Sequence, residues 1–214
     1  MPHSDLTDYP RPSLAVDTAT FTVLDGILFL ALVTDEESGR LALPGTFVHE
    51  RERLTHAVLR SQREKAGITG REPRQLRVFD DPDRDDRGWV VAVAHLDVVA
   101  PEVVEEGLDA GVLTLVPVTE VAPHGPIALP YDHPRVVAEA LSRIRAEYAE
   151  APDPWHVLAS PFTLGDLRAL HEAVAGEELQ RDSFRRHMEP RLEPTGRMSD
   201  GRRGRPTRLF AHRT

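Results

Sequence analysis

The chain has 214 residues, 40% of them hydrophobic, with 26 basic against 35 acidic side chains, a net charge of −9 and no cysteine. This length predicts one large domain or two small ones with cores that need no staple, and the missing cysteines exclude disulfides, thiolate metal sites and a cysteine nucleophile. No apolar run approaches the ~20 residues that span a bilayer, and the polar stretch 1–11 lacks a signal-peptide core, so the chain reads as soluble and cytoplasmic.

Alternating apolar and polar residues from Leu14, then the continuous apolar run 27–33, predict two strands joined by a tight turn at Asp25-Gly26. A short extended piece over 41–45 follows. Helical spacing from Leu54 to Ala66 predicts a helix closed by Gly67. Further strands are expected over 75–79, 88–99 and 112–118, and a helix over 134–148 with proline in its first turn. Between the first two of these strands, 80–87 is so rich in Asp and Arg that it reads as an exposed loop. The proline-rich stretch 151–155 reads as a linker whose Trp155 packs domains or copies together. Beyond it, Thr163 and Asp166 are spaced to cap a helix carrying Leu164, Leu167, Leu170 and Val174 on one face, and Gly176 ends it. A second helix over 182–188 starts at an acidic cap. A loop of Gly, Ser, Asp and Arg and a short strand over 207–210 complete the grammar of a winged helix-turn-helix.

Charge is divided along the chain. Residues 1–151 carry a balance of −11 and residues 152–214 one of +2; within 181–214 ten arginines face four acids. An acidic body with a basic end points to a polyanion-binding segment. On the second helix of this segment the candidate DNA contacts are Arg181, Ser183, Arg185 and Arg186, with Arg185 or Arg186 able to read guanine bidentately. Arg202, Arg203, Arg205 and Arg208 are the candidates in the wing, for phosphate or a minor groove.

Residues 43–68 resemble the Nudix box, G-x5-E-x7-R-E-U-x-E-E-x-G-U: Glu52, Arg60, Glu64, Gly67 and Ile68 occupy their slots. Thr46 stands for the glycine, Ser61 and Lys65 for glutamates and Gln62 for the apolar residue. In Nudix hydrolases glutamates on this helix face hold Mg²⁺, a hard cation that needs carboxylate oxygens. Positions 61 and 65 are helical neighbours, so a neutral hydroxyl and an ammonium replace two negative charges there, and Glu64 is placed to pair with Arg60. The expectation is no catalytic residue, no metal site and no hydrolysis. The histidines show no metal-binding spacing, and His133 reads as structural. Such a pocket can still bind phosphates through arginine. The candidate ligand residues are Arg51, Glu52, Lys65 (the chain's only lysine), Arg84, Asp85 and Arg87.

Downstream, 83–95 resembles the D-R-D-P-R-G-x-x-V-S-x-A-Y segment of ADP-ribose-related Nudix domains, with Asp86, Ala92 and His95 as departures, and 129–134 resembles their "fDH" element. Residues 162–167, 184–186 and 204–210 are similar to the winged helix of Nudix-related transcriptional regulators, the NrtR family. The resemblance implies an α+β chain: a Nudix-like mixed sheet with helices over 1–150, a linker over 151–160 and a winged helix-turn-helix over 161–214. It implies a homodimeric repressor of NAD-metabolism genes that binds a palindromic operator on double-stranded DNA, with no membrane partner. Its effector would be ADP-ribose or a related nucleotide, and no cofactor is implied. Three alternatives stay open: an active hydrolase using Glu52 and Glu64, a regulator sensing a sugar or sugar phosphate, and a basic tail that docks a protein.

Overall fold

The structure is a computed structural model that describes residues 8–121, 125–200 and 206–213. Its first sheet is built on two long strands, β1 (Ser13–Leu24) and β6 (Val90–Val99), which run parallel from the pair Ser13–Val90 to the pair Thr22–Val99. Both are buried on both faces, as a parallel pair covered by helices requires. That holds although Asp17, Thr18, Thr20 and Thr22 make β1 alternate like a half-exposed strand. Five further strands join them: β2 (Ile27–Thr34), β3 (Leu41–Ala42), β4 (Gly45–Phe47), β5 (Arg74–Phe79) and β7 (Thr114–Pro117). The order is β3-β2-β1-β6-β5, with β4 added to β1 and β7 to β2.

The hairpin at Asp25-Gly26 forms as expected, both residues taking the positive φ that a two-residue turn demands. On its hairpin side, β1 has two partners in succession. Residues 20–24 pair with β2, and residues 15–17 pair with β4. The sheet therefore splits at Asp17, and a cleft opens there.

Helix α1 (Leu54–Ala66) covers one face, with Ala57 and Val58 on Val16. Gly67 caps it at φ 66, and a Cβ there would lie 2.8 Å from the Cα of Gly107. That neighbour belongs to α2 (Glu105–Asp109), a single turn too short for sequence periodicity to reveal. Helix α3 (His133–Glu150) covers the other face through Val136, Val137, Ala140, Leu141 and Ile144.

The C-terminal part holds β8 (Phe162–Thr163), α4 (Leu164–Ala175), α5 (Arg181–Met188), β9 (Glu193–Met198) and β10 (Arg208–Ala211), the strands ordered β8-β10-β9. Thr163 and Asp166 form the expected capping box. Helix α5 starts at Arg181, and its cap is Gln180, whose side chain accepts from the Ser183 amide at 2.6 Å; Asp182 sits inside the first turn. Strand β9 contains Pro194 and Gly196, which disguise it as loop.

The apolar face of α4 divides between two cores. Leu164 and Leu167 pack with Phe162, Phe184, Met188 and Phe210, whereas Leu170 and Val174 join the core of the large sheet beside Tyr148 and Trp155. Arg145 of α3 donates to the Val174 carbonyl at the end of α4, at 3.1 Å. Trp155 thus packs the two parts of one chain together, under the Arg74 guanidinium 3.8 Å from its ring. Among the described residues no helix is long and apolar enough to cross a membrane.

His171 of α4 stands at this joint, edge-on to Tyr148 and Phe184 at ring distances of 5.1 and 5.0 Å, with Nε2 buried and without a partner among the described residues. Burial pushes its pKa from 6.5 down to about 4. Between those values the unfolded chain binds a proton that the folded chain refuses, so stability falls as pH falls through that window. Urea unfolding at pH 7 and pH 4.5 is expected to show a loss in which His171 accounts for about 3 kcal/mol at most, and His171→Leu should flatten that limb.

Candidate functional site

The cleft at the split of β1 has a volume of about 220 Å³. Gly45 makes its floor possible: a Cβ there would fall 2.2 Å from the Asp17 carboxylate. Beneath lies a buried polar network. Arg84 donates from Nε and Nη2 to the two oxygens of Asp132, at 3.1 and 2.6 Å, and from Nη2 to Asp17 at 3.2 Å. His133 accepts from the Leu43 amide at Nδ1, 3.2 Å, which leaves Nε2–H to face Asp17 at 3.6 Å. Burial opposes ionisation of Asp17, but His133 and Arg84 outweigh it and hold the carboxyl below its usual range.

Arg84 and Asp85 are therefore buried, contrary to the exposed loop expected over 80–87. Arg84 is satisfied by Asp132 and Asp17, 48 and 67 positions away, which a local reading of charge cannot see, whereas Asp85 is satisfied by its near neighbour Arg87. The guanidinium of Arg84 supports the cleft and is already filled.

Arg87 lines the cleft itself. It donates to both oxygens of Asp85 at 2.8 and 2.7 Å and to Glu37 at 2.7 Å, with its charge 4.6 Å from the Tyr131 ring and 5.3 Å from that of Phe47. The hydrogen bond to Asp85 raises its pKa, and Asp85 is lowered in return. Lys65 also lines the cleft, as do Asp35, Glu37, Phe47, Tyr131 and His133. Asp35, Glu37, Phe47 and Tyr131 were given no role in the sequence, because they come from separate turns and strand ends, and His133, read there only as structural, lines the cleft as well.

Arg51 and Glu52 lie elsewhere. Arg51 is exposed in a left-handed conformation (φ 62), 3.9 Å from Glu50 and outside the cleft lining. Glu52 binds Arg60 twice, at 2.9 and 2.8 Å, and that hydrogen-bonded pair pulls its pKa down to about 2. Arg60 reaches on to Thr46 and the Phe47 carbonyl, so the pair braces β4. The expected Glu64–Arg60 pair is not formed, since Glu64 accepts from Arg63 at 2.8 Å.

The Mg²⁺ that a Nudix box implies does not fit these residues. Ser61 is buried with an unpartnered hydroxyl, Lys65 brings a cation, and Glu52 is spent on Arg60.

At the other end of the molecule, Phe184 and Met188 seat α5 in its core and leave Arg181, Ser183, Arg185 and Arg186 exposed. Arg208 lies on β10 beside them, while Arg202, Arg203 and Arg205 fall outside the described residues. Arg197, exposed on β9, adds a wing arginine that the loop reading of this segment had hidden.

The family model of the NrtR DNA-binding winged helix domain matches residues 154–211. The whole chain is similar to the crystal structure of Shewanella oneidensis NrtR complexed with a 27mer DNA, with 30% identity and a TM-score of 0.79 over 94% of this chain and 93% of that one. The ADPR responsive transcriptional repressor NtrR of Acinetobacter baylyi is 27% identical over 187 residues, 85% of this chain and 74% of that protein. The ADP-ribose pyrophosphatase of Methanocaldococcus jannaschii is 35% identical over 95 residues, covering 44% of this chain and 56% of that protein. Split sheet, box helix and capped helix pair together define a Nudix-type domain joined to a winged helix. The chain belongs to the NrtR family.

Arg84→Ala strands two buried carboxylates and is expected to destabilise by about 3–5 kcal/mol. Lys65→Ala, at the exposed rim, should leave the unfolding midpoint within about 0.5 kcal/mol of wild type. Chemical denaturation of the two variants checks both.

Proposed function

We propose that this chain is a DNA-binding transcriptional regulator, acting as a homodimeric repressor on a palindromic operator of NAD-metabolism genes. Its Nudix-type domain senses ADP-ribose or a related nucleotide and does not hydrolyse it. The observation that carries the reading is the arginine-bearing helix α5 set in a winged helix that resembles a DNA-bound relative along almost its whole length. The two curated relatives act on or respond to ADP-ribose, which supports the choice of effector.

In this reading Arg87 and Lys65 take the pyrophosphate, the phosphate displacing Glu37 from Arg87. Asp85 orients Arg87, and Arg84 holds the floor. The regulatory reading, and not a hydrolase, is favoured by the helix α1 donor set, in which a buried hydroxyl and a lysine stand at the metal positions.

Helix α3 supplies a physical route between the sites. His133 at its start lines the cleft, and Tyr148 near its end touches His171 of α4. At 1.5 Å per residue these ends are about 22 Å apart on one rigid element. An effector shifts DNA affinity only by its differential affinity for two placements of α3 and α4.

The test is anisotropy of a labelled duplex from upstream of the protein's own gene, in a salt series and then with ADP-ribose in the absence of metal. Binding should weaken steeply with salt, as phosphate contacts require, and should respond to ADP-ribose. Arg87→Ala should raise the effective ADP-ribose concentration by about 10–100-fold with DNA affinity retained. Release of AMP with Mg²⁺ at a rate typical of enzymes would overturn the non-catalytic reading, and an Arg87→Ala protein with the wild-type response would overturn the phosphate site.

A further inference from the structure

Among the carboxylates of the arginine-bearing surface, Glu189 is the one hydrogen-bonded to an arginine side chain of α5 among the described residues. Residues 181–214 hold four acids against ten arginines, and Glu189 stands between two of those arginines. It opens the 3-10 turn Glu189–Arg191 that follows α5. Its Oε2 accepts from Nε of Arg185 at 2.6 Å, and its Oε1 lies 3.9 Å from Nη1 of Arg208 on β10. Arg181, Arg185 and Glu189 are spaced four apart, hence aligned on one face of the helix and its continuation. Glu189 is a quarter exposed, whereas both arginines lie largely in solvent.

A negative charge on a surface that meets phosphates reduces its attraction for DNA. A carboxylate here must therefore offset that loss by what it does to its neighbours. Its effect on Arg185 is specific. Only Nε is engaged, so Nη1 and Nη2, the end of the fork that grips O6 and N7 of guanine, donate to none of the described residues. Arg186 differs: it lies back along its own helix, Nε toward the Asp182 carbonyl and Nη2 toward the Ser183 hydroxyl, both at 3.4 Å. The same carboxylate also lies within 3.9 Å of Arg208 on the wing, so it is shared between cationic groups of two elements.

We propose that Glu189 is a positioning residue for sequence reading: it aims the free end of Arg185 at a guanine edge. The proposal rests on the DNA-binding reading above, and it selects Arg185 over Arg186 as the base-reading arginine.

The test uses the full-length protein, a duplex that the wild type selects from a random-sequence pool and a scrambled duplex of the same composition. Glu189→Gln is expected to lower the ratio of selected to scrambled affinity about tenfold, with scrambled binding unchanged or tighter because a negative charge has gone. Glu189→Asp keeps the charge and shortens the reach. It should lower the ratio while scrambled binding stays at the wild-type level. Arg185→Ala should lower the ratio similarly, and Glu189→Gln should add nothing to it. Replacing the guanines of the selected duplex singly by 7-deazaguanine should reveal one position where wild type loses affinity and Arg185→Ala does not. Equal tightening of both duplexes by Glu189→Gln would show a merely repulsive charge and overturn the proposal. Equal weakening of both, with a lowered unfolding midpoint, would show a structural role and overturn it too. Failure of the wild type to select any duplex would refute the DNA-binding reading itself, an outcome separate from these.

Discussion

The carboxylate of Asp153 is fully buried and accepts four hydrogen bonds. The Tyr148 hydroxyl reaches it from α3 at 3.1 Å, the amides of Val157 and Leu158 from the connecting segment at 2.9 and 2.8 Å, and Nε2 of His212 from the end of the wing at 3.0 Å. A buried charge is tolerated only when its acceptors are filled, so all three pieces of chain must be in place together. Asp153 takes a left-handed φ of 46 to reach them, a conformation that Asp adopts more readily than most side chains. The proline-rich stretch that reads as a linker is thereby a constrained joint. Once α3 and the wing are fixed on it, α4 has one place to lie, with Leu167 in one core and Leu170 in the other.

This joint gives regulation a physical form. A winged helix on a slack tether could not sense what binds in a distant cleft. Here the helix that borders the cleft is the one whose far end packs on α4, and α4 in turn seats α5. The aromatic series Tyr148, His171 and Phe184 crosses the joint by edge contacts alone. Such contacts permit small rotations without leaving donors unpaired, unlike the saturated carboxylate beside them. At this joint the filled carboxylate of Asp153, the aromatic contacts of His171 and the Arg145–Val174 hydrogen bond lie side by side.

The cleft retains the architecture of the box although several of its residues differ. The Glu52–Arg60 pair still braces β4, and Gly67 still ends α1 against Gly107, because both serve the backbone. Two of the box's glutamate slots hold Ser61, buried in α1, and Lys65, at the exposed rim. Positive charge at the cleft now comes from Lys65 and from Arg87, which its neighbours hold in position.

Features settled within a few residues were legible in the sequence. They include the Asp25-Gly26 turn, the Gly67 cap, the Thr163–Asp166 capping box, the broken box on α1 and the basic face of α5. Each depends on backbone geometry or spacing that a short window contains. The partners of Arg84, the role of Asp153, the split of β1 and the division of α4 between two cores were decided by tertiary structure alone. Arg84 meets Asp17 and Asp132 across 67 and 48 positions, and Asp153 meets His212 across 59. A charged side chain in sequence announces only that it needs water or a partner. Which of the two it receives depends on chain segments that folding brings together, and that choice made an expected surface loop into the floor of a site and an expected linker into a fixed joint.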